Sequence, residues 1–96
     1  MTAFFIATIN VKDSEKFQQY AAKAAQTFIA FKGELVLRGK SNETLAGTAD
    51  DHATGIVRFP DMATLNNWYE SPEYQALIPL RDAGADMKLV SYNVPE

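Results

Sequence analysis

Two hydrophobic periods alternate along this chain, and their order restricts the fold to a small set. Residues 14–31 place apolar side chains at steps of three and four, as an amphipathic helix does, and a shorter helix of this kind follows Asp61. Strand-like runs, rich in β-branched and aromatic residues, lie at 3–11, 33–40, 52–60 and 87–94. The order β-α-β-β-α-β predicts a ferredoxin-like α+β fold, with an antiparallel sheet and both helices on one face.

Local signals set the expected ends of these elements. Asp13 or Ser14 can cap the first helix, and Gly33 is a natural residue for its C-terminal cap. Asp61 is expected to cap a second helix that runs to about Glu70. The polar connection 41–51 has room for a short strand around Glu43–Ala46.

Length and charge exclude several classes of protein. Ninety-six residues predict a single domain, 1–96. A net charge of −3 with scattered lysines and arginines argues against a nucleic-acid or anionic-membrane partner. The chain has no cysteine, which removes disulfides and thiolate metal sites. The opening residues lack a basic region before their apolar run, so we expect a strand there and a cytoplasmic protein.

The two faces of the strands predict self-association. In the first strand the odd positions from Ala3 to Val11 are apolar and are expected to face the helices. The opposite face is too apolar for water and too polar for a dry core, so we expect a second copy of the chain to cover it, leaving a lined cavity. This second face is expected to carry Phe4, Ile6, Thr8, Asn10, Val36, Arg38, Thr54, Ile56 and Arg58.

The stretch WYESPEYQALIPLR (68–81) concentrates aromatic, proline and charged residues. Ser71 followed by Pro72 fits an N-cap with proline at the first helical position, which splits the second helical region there. Pro79 is expected to kink or end the new helix near Ile78, and Gly84 is expected to act as a helix cap. Spacing puts Tyr74 and Arg81 on one face, whereas Trp68 and Tyr69 point about 100° apart, one into the core and one toward an entrance.

Four segments resemble a known family: AFFIATINVKDSEKFQQYAAKA, GELVLRGKSNETLAG, GIVRFPD and, above all, WYESPEYQALIPLR. They are similar, over about residues 3–94, to the uncharacterised bacterial family called domain of unknown function 1330. Membership implies the dimeric α+β-barrel superfamily, in which two ferredoxin-like subunits bring their sheets together. The resemblance implies no reaction, since relatives in the superfamily include cofactor-independent monooxygenases, isomerases and ligand-binding domains.

Few residues offer chemistry. His52, the only histidine, follows two aspartates and is either a general acid or base or a solvated turn residue; Tyr74 is the second proton-transfer candidate. We expect no metal site and assign no cofactor. The arginines could bind a carboxylate or carbonyl in a pocket between sheet and helices, or pair with interface carboxylates. The ligand-binding candidates are Arg38, Trp68, Tyr69, Ser71, Tyr74 and Arg81.

Three functions therefore remain open from the sequence. The chain is either a small homodimeric ligand-binding protein, a cofactor-independent enzyme of the monooxygenase or isomerase kind, or a non-catalytic interaction module. In the last case the 68–81 stretch serves the fold alone.

Overall fold

The computed structural model describes residues 2–95; Met1 and Glu96, which belong to the predicted domain 1–96, lie outside the described residues. The order of elements confirms the ferredoxin-like prediction, with the second helical region divided into three pieces. The elements are β1 (Ala3–Val11), α1 (Ser14–Ala30), β2 (Glu34–Lys40), β3 (Ala53–Phe59), α2 (Met62–Glu70), α3 (Pro72–Gln75), α4 (Ile78–Gly84) and β4 (Ala85–Asn93).

The four strands form one antiparallel sheet in the order β2-β3-β1-β4. In β1, Ala3, Phe5 and Ala7 are buried beneath the helices, as the alternation predicts. The opposite, outer face of the sheet carries exposed apolar side chains, among them Leu37 (66 % exposed) and Tyr92, which stacks on Phe4. Helices therefore cover one face of the sheet and leave the other to solvent.

A β-bulge changes the face of one predicted site residue. Leu35 lies opposite Val57 and Leu37 lies opposite the adjacent Ile56, so Val36 is an extra residue in β2. Beyond the bulge, Arg38 pairs with Gly55, which in turn pairs with the buried Ala7. The prediction that Arg38 shares the outer face with Ile56 was wrong, because the bulge turns Arg38 toward the helices.

The first helix begins as predicted and ends differently. The Asp13 carboxylate accepts a hydrogen bond from the Lys16 backbone N–H at 3.1 Å, which satisfies an orphan donor of the first turn. Beyond its C-terminal end the left-handed residue is Lys32 (φ 66°) and not Gly33. A side chain at Gly33 would meet the Phe59 ring at 2.9 Å, so this glycine permits a close approach to the sheet.

In the second helical region, two caps agree with the sequence and one helix end does not. Asp61 accepts from the Thr64 N–H at 2.7 Å, and Ser71 accepts from the Tyr74 N–H at 3.2 Å with Pro72 behind it. Pro79 does not end a helix; it lies in the first turn of α4, where its missing N–H costs nothing.

Three other boundaries also differ from prediction. The expected strand at Glu43–Ala46 is absent: the segment lies in a connection without regular structure, which carries Leu45 at 89 % exposure. Gly84 is the last residue of α4 rather than a cap, and β4 begins at Ala85, two residues before the predicted start. Between residues 2 and 95, no helix combines the length and apolar character needed to cross a membrane.

Candidate functional site

A cavity of about 460 Å³ lies between α1 and the β2–β3 half of the sheet. It exists because α1 packs mainly against α4 and α3 rather than on the sheet. Side chains too small to fill the gap line both walls, among them Ala21 and Ala25 on the helix and Ala53 and Gly55 on the sheet. Larger apolar groups complete the lining: Phe5, Ile9, Phe17, Phe28, Leu35, Val57, Met87 and Leu89.

Few polar side chains line this cavity. Arg38 lies at its edge on the exposed strand β2, close to Thr54 on the neighbouring strand. Tyr20 lines the cavity from α1, and Trp68 lines it from α2. The lining is therefore mostly apolar, with polar groups at a few positions.

Trp68 is the central buried side chain, only 2 % exposed. Its ring stacks on Phe5 with centroids 5.1 Å apart and lies 4.5 Å from the Tyr74 ring. Its indole N–H donates to the Thr27 hydroxyl at 3.0 Å, and that hydroxyl donates to the carbonyl of Ala24. Trp68 is thus the core member of the Trp68–Tyr69 pair, with its polar atom satisfied.

Beside the cavity, three tyrosines and an arginine form a hydrogen-bonded group, which we call the tyrosine–arginine cluster: Tyr20, Tyr69, Tyr74 and Arg81. Arg81 Nη1 donates to Tyr74 Oη at 3.1 Å and to Tyr69 Oη at 3.4 Å, and its Nε donates to Asp82 at 3.1 Å. The hydroxyls of Tyr74 and Tyr20 are 2.8 Å apart. Phenols from α1, α2 and α3 therefore meet one cation from α4.

The cluster shifts the titration of two of its members. Burial, together with the neighbouring Tyr74, raises the pKa of the Tyr20 phenol well above its ordinary value. Burial lowers the pKa of the Arg81 guanidinium, but the hydrogen bonds to Tyr69 and Tyr74 outweigh it and leave that pKa raised. Tyr20 is thus a neutral hydroxyl and Arg81 a permanent cation at physiological pH.

Ser71 holds the cluster's backbone in place rather than facing a ligand. Its hydroxyl donates to the Trp68 carbonyl at 2.6 Å while accepting the Tyr74 N–H, and the side chain is buried. This arrangement fixes the turn between α2 and α3. It thereby sets the relative positions of Trp68 and Tyr74.

His52 lies elsewhere, at the start of β3. Its Nδ1 is 2.6 Å from the Asp50 carbonyl, and its backbone N–H donates to the Ser41 hydroxyl. It borders a separate charged groove of about 530 Å³, whose lining includes Lys12, Asp50, Asp82, Asp86 and Lys88. Within residues 2–95 no three His, Asp or Glu side chains converge as metal ligands would.

The structure thus brings together most, but not all, of the predicted residues. Trp68, Tyr69, Ser71, Tyr74 and Arg81 form one contiguous unit, whereas Arg38 lies across the cavity and His52 at another edge. The sequence interpretation counted Tyr20 only among the apolar positions of the first helix. A phenol in the buried stripe of a helix is the signal that could have identified it, since a buried hydroxyl needs a partner.

Three solved structures share the fold. A protein of unknown function from Rhodopseudomonas palustris is 16 % identical, with a TM-score of 0.83 over 99 % of this chain and 83 % of its own. SnoaB, a cofactor-independent oxygenase from Streptomyces nogalater, is 14 % identical, with a TM-score of 0.72 over 99 % and 94 %. A dimeric ferredoxin-like protein of unknown function from Thermobifida fusca is 12 % identical, with a TM-score of 0.62 over 98 % and 92 %.

At these identities the three structures show a common fold and no more. No functionally curated protein has significant sequence similarity to the chain. The model of the family called Domain of unknown function (DUF1330) matches residues 2–93, which agrees with the resemblance carried by the 68–81 stretch. The chain therefore belongs to the DUF1330 family.

Proposed function

We propose that this chain is a one-domain, cytoplasmic homodimer that binds a small organic molecule bearing a carbonyl or carboxylate group. The observation that carries the proposal is the apolar cavity beneath α1 with Arg38 at its edge. Apolar walls favour a ring or short hydrocarbon, because each square ångström removed from water contributes about 25 cal/mol. The ligand's acidic group would stay at the edge, where it remains hydrated.

The Arg38 guanidinium can bind that acidic group at the edge of the cavity. Among residues 2–95 no carboxylate pairs with its guanidinium, whereas Arg58 on the outer face is paired with Glu34 at 2.9 Å. A guanidinium presents two parallel N–H donors that match a carboxylate. The bulge at Val36 is what places this cation on the cavity side of the sheet.

Three probes of similar size test ligand binding: benzoate, acetophenone and ethylbenzene. Trp68 is the only tryptophan, so its indole N–H gives one isolated NMR resonance inside the cavity lining. Benzoate should shift that resonance in a saturable titration, and Arg38→Gln should weaken benzoate binding about threefold to tenfold, the loss of one charge-assisted hydrogen bond near solvent.

Arg58→Gln is the matched control, since it removes an equal charge from the outer face. It should leave benzoate affinity unchanged. Arg38→Gln should also leave ethylbenzene affinity unchanged, because that probe has no acceptor. If none of the three probes moves the Trp68 resonance, the ligand-binding proposal is wrong and the non-catalytic interaction module becomes the better candidate.

The exposed apolar surface on the outer face of the sheet is the reason for proposing a homodimer. Leu37, Val90 and Tyr92 are exposed there, beside the partly exposed Phe4 and Ile6. Exposed contiguous apolar surface of this kind is typical of an interface, and the Thermobifida fusca relative in fold is described as dimeric. Sedimentation at micromolar concentration should give twice the chain mass; a monomer under those conditions contradicts the proposal.

A cofactor-independent enzyme is the second candidate, favoured by the oxygenase activity of SnoaB on the same fold. In this chain neither His52 nor Tyr74 lines the cavity, so direct proton transfer by either of them is the weaker version. Consumption of dioxygen on adding a bound substrate would support an oxygenase. Unchanged turnover in both His52→Ala and Tyr74→Phe would contradict the proton-transfer role of these two residues.

A further inference from the structure

The tyrosine–arginine cluster contains more protons than it has acceptors. The Tyr20 and Tyr74 hydroxyls face each other at 2.8 Å, so one of them donates and the other accepts. The remaining neighbour of this pair is Arg81, whose guanidinium can only donate. Within residues 2–95 one of the two hydroxyl protons therefore has no acceptor in the cluster.

Burial decides which proton is left over. Tyr74 is fully enclosed and does not line the cavity, and its oxygen already accepts from Arg81. Its own proton can be satisfied only by donating to Tyr20, since leaving a buried donor unpaired costs about 1–3 kcal/mol. The hydrogen bonds therefore run from Arg81 to Tyr74 and from Tyr74 to Tyr20.

The unpaired proton then belongs to Tyr20. This side chain is 5 % exposed and lines the cavity from α1. Of the four cluster residues it is the one that contributes to the cavity lining, so the cavity is where an acceptor for this buried donor can be sought. Its oxygen accepts from Tyr74, which is polarised in turn by the Arg81 cation, so its proton is a better donor than that of an isolated phenol.

We infer that the Tyr20 hydroxyl donates a hydrogen bond to a carbonyl oxygen of the cavity ligand, which makes the ligand a ketone or a related apolar carbonyl compound. This inference rests on the proposed ligand-binding function and adds the position of the ligand's oxygen. A neutral carbonyl suits Tyr20 because a carboxylate this deep would lose its hydration, whereas at Arg38 it keeps it. Tyr20 thus favours a neutral ligand oxygen, and Arg38 favours a negatively charged one.

The raised pKa of the Tyr20 phenol agrees with this role, because the group stays protonated and donates. A donor aimed at a carbonyl oxygen withdraws electron density from the carbonyl carbon and from the carbon next to it. That is the contribution such a hydroxyl makes in sites where negative charge develops on oxygen. Tyr20 is accordingly a hydrogen-bond donor to the carbonyl oxygen and not a general base.

Acetophenone and ethylbenzene test the inference, because they are similar in size and ethylbenzene lacks the carbonyl oxygen. Tyr20→Phe should weaken acetophenone binding about threefold to tenfold, the effect of losing one hydrogen bond, and leave ethylbenzene binding unchanged. Both affinities come from titrating the Trp68 indole N–H resonance. Tyr92→Phe is the matched control, since it removes a tyrosine hydroxyl from the outer face of the sheet, and it should change neither affinity.

A double variant tests whether the effect of Tyr20→Phe comes from a disturbed structure rather than from a lost contact to the ligand. Tyr20→Phe deprives the Tyr74 proton of its acceptor, whereas the double variant Tyr20→Phe with Tyr74→Phe removes both hydroxyls and leaves neither proton unpaired, while Arg81 keeps the Tyr69 oxygen as an acceptor. Acetophenone binding should be weakened to the same extent in the single and the double variant.

The possible outcomes separate the inference from the proposed function. Suppose that wild type binds ethylbenzene and acetophenone, and that Tyr20→Phe binds acetophenone as tightly as wild type. The hydroxyl then donates only to water, and the inference fails. Equal weakening of both probes by Tyr20→Phe also overturns it, because the effect then lies in cavity shape. If wild type binds no probe, the proposed function fails first.

Discussion

The two halves of the layer between sheet and helices are built differently. Near α2 and α3, Trp68 is in contact with Phe5, Phe59 and Tyr74, with ring centroids 4.5–5.4 Å apart. Beneath α1, alanines and a glycine face one another across an unfilled space. The difference indicates that one half supplies most of the packing, while the other leaves the space in which we propose that a ligand binds. Trp68 and Tyr20 belong to both halves. A change in the cavity therefore directly affects side chains of the packed half.

The largest expected effect is the loss of Trp68. Trp68→Ala should lower the free energy of unfolding by about 3–5 kcal/mol, because it removes a fully packed aromatic side chain and leaves a cavity. Leu35→Ala, at the edge of the unfilled half and 46 % exposed, should cost less than about 1.5 kcal/mol. Urea unfolding followed by circular dichroism gives both values. Similar costs for the two variants would contradict the division into a packed and an unfilled half.

Adding volume tests the same comparison from the opposite direction. Ala3→Leu enlarges a fully buried residue and should destabilise the protein by about 1–3 kcal/mol through overpacking. Ala25→Leu extends into the unfilled space and should cost less than about 0.5 kcal/mol while abolishing probe binding. Thermal unfolding and the Trp68 resonance report the two effects. An Ala25→Leu variant as unstable as Ala3→Leu would show that no usable space exists.

The smallest effect is expected at the turn between α2 and α3. Ser71→Ala should cost about 1–2 kcal/mol, since it removes an N-cap and leaves the Tyr74 N–H without its acceptor. Ser14→Ala is the control: that hydroxyl is exposed and accepts only a long contact from Gln18, so the change should stay within about 0.5 kcal/mol. Urea unfolding measures both. A cost for Ser71→Ala no greater than the control would show that the cap does not hold the packed half.

The features that the sequence could predict were mostly local. Asp13, Asp61 and Ser71 cap helices because each needs only the backbone a few residues ahead, so spacing alone identifies them. The succession of strands and helices along the chain was predictable from periodicity in the same way. The convergence of Tyr74 and Arg81 was also predicted, although they lie in two short helices and not on one.

The features that the sequence could not predict depend on distant partners. The face of Arg38 is set by a bulge that appears only when β2 pairs with β3. The hydrogen-bond partner of the Tyr20 hydroxyl is Tyr74, which lies 54 residues away along the chain. Pro79 was misinterpreted because a proline can begin a helix as well as end one, and the choice depends on how α4 packs on α1.

Strand β2 has a consequence for the solubility of the protein. It is an edge strand in which every residue is exposed, and its centre, Leu35–Leu37, is apolar. Such an edge can add strands from other chains and so begin aggregation. Glu34, Arg38 and Lys40 are the charges within this strand that oppose it. The cation proposed to recognise a ligand is thus also one of the charges that protect this edge, so replacing Arg38 would affect both properties.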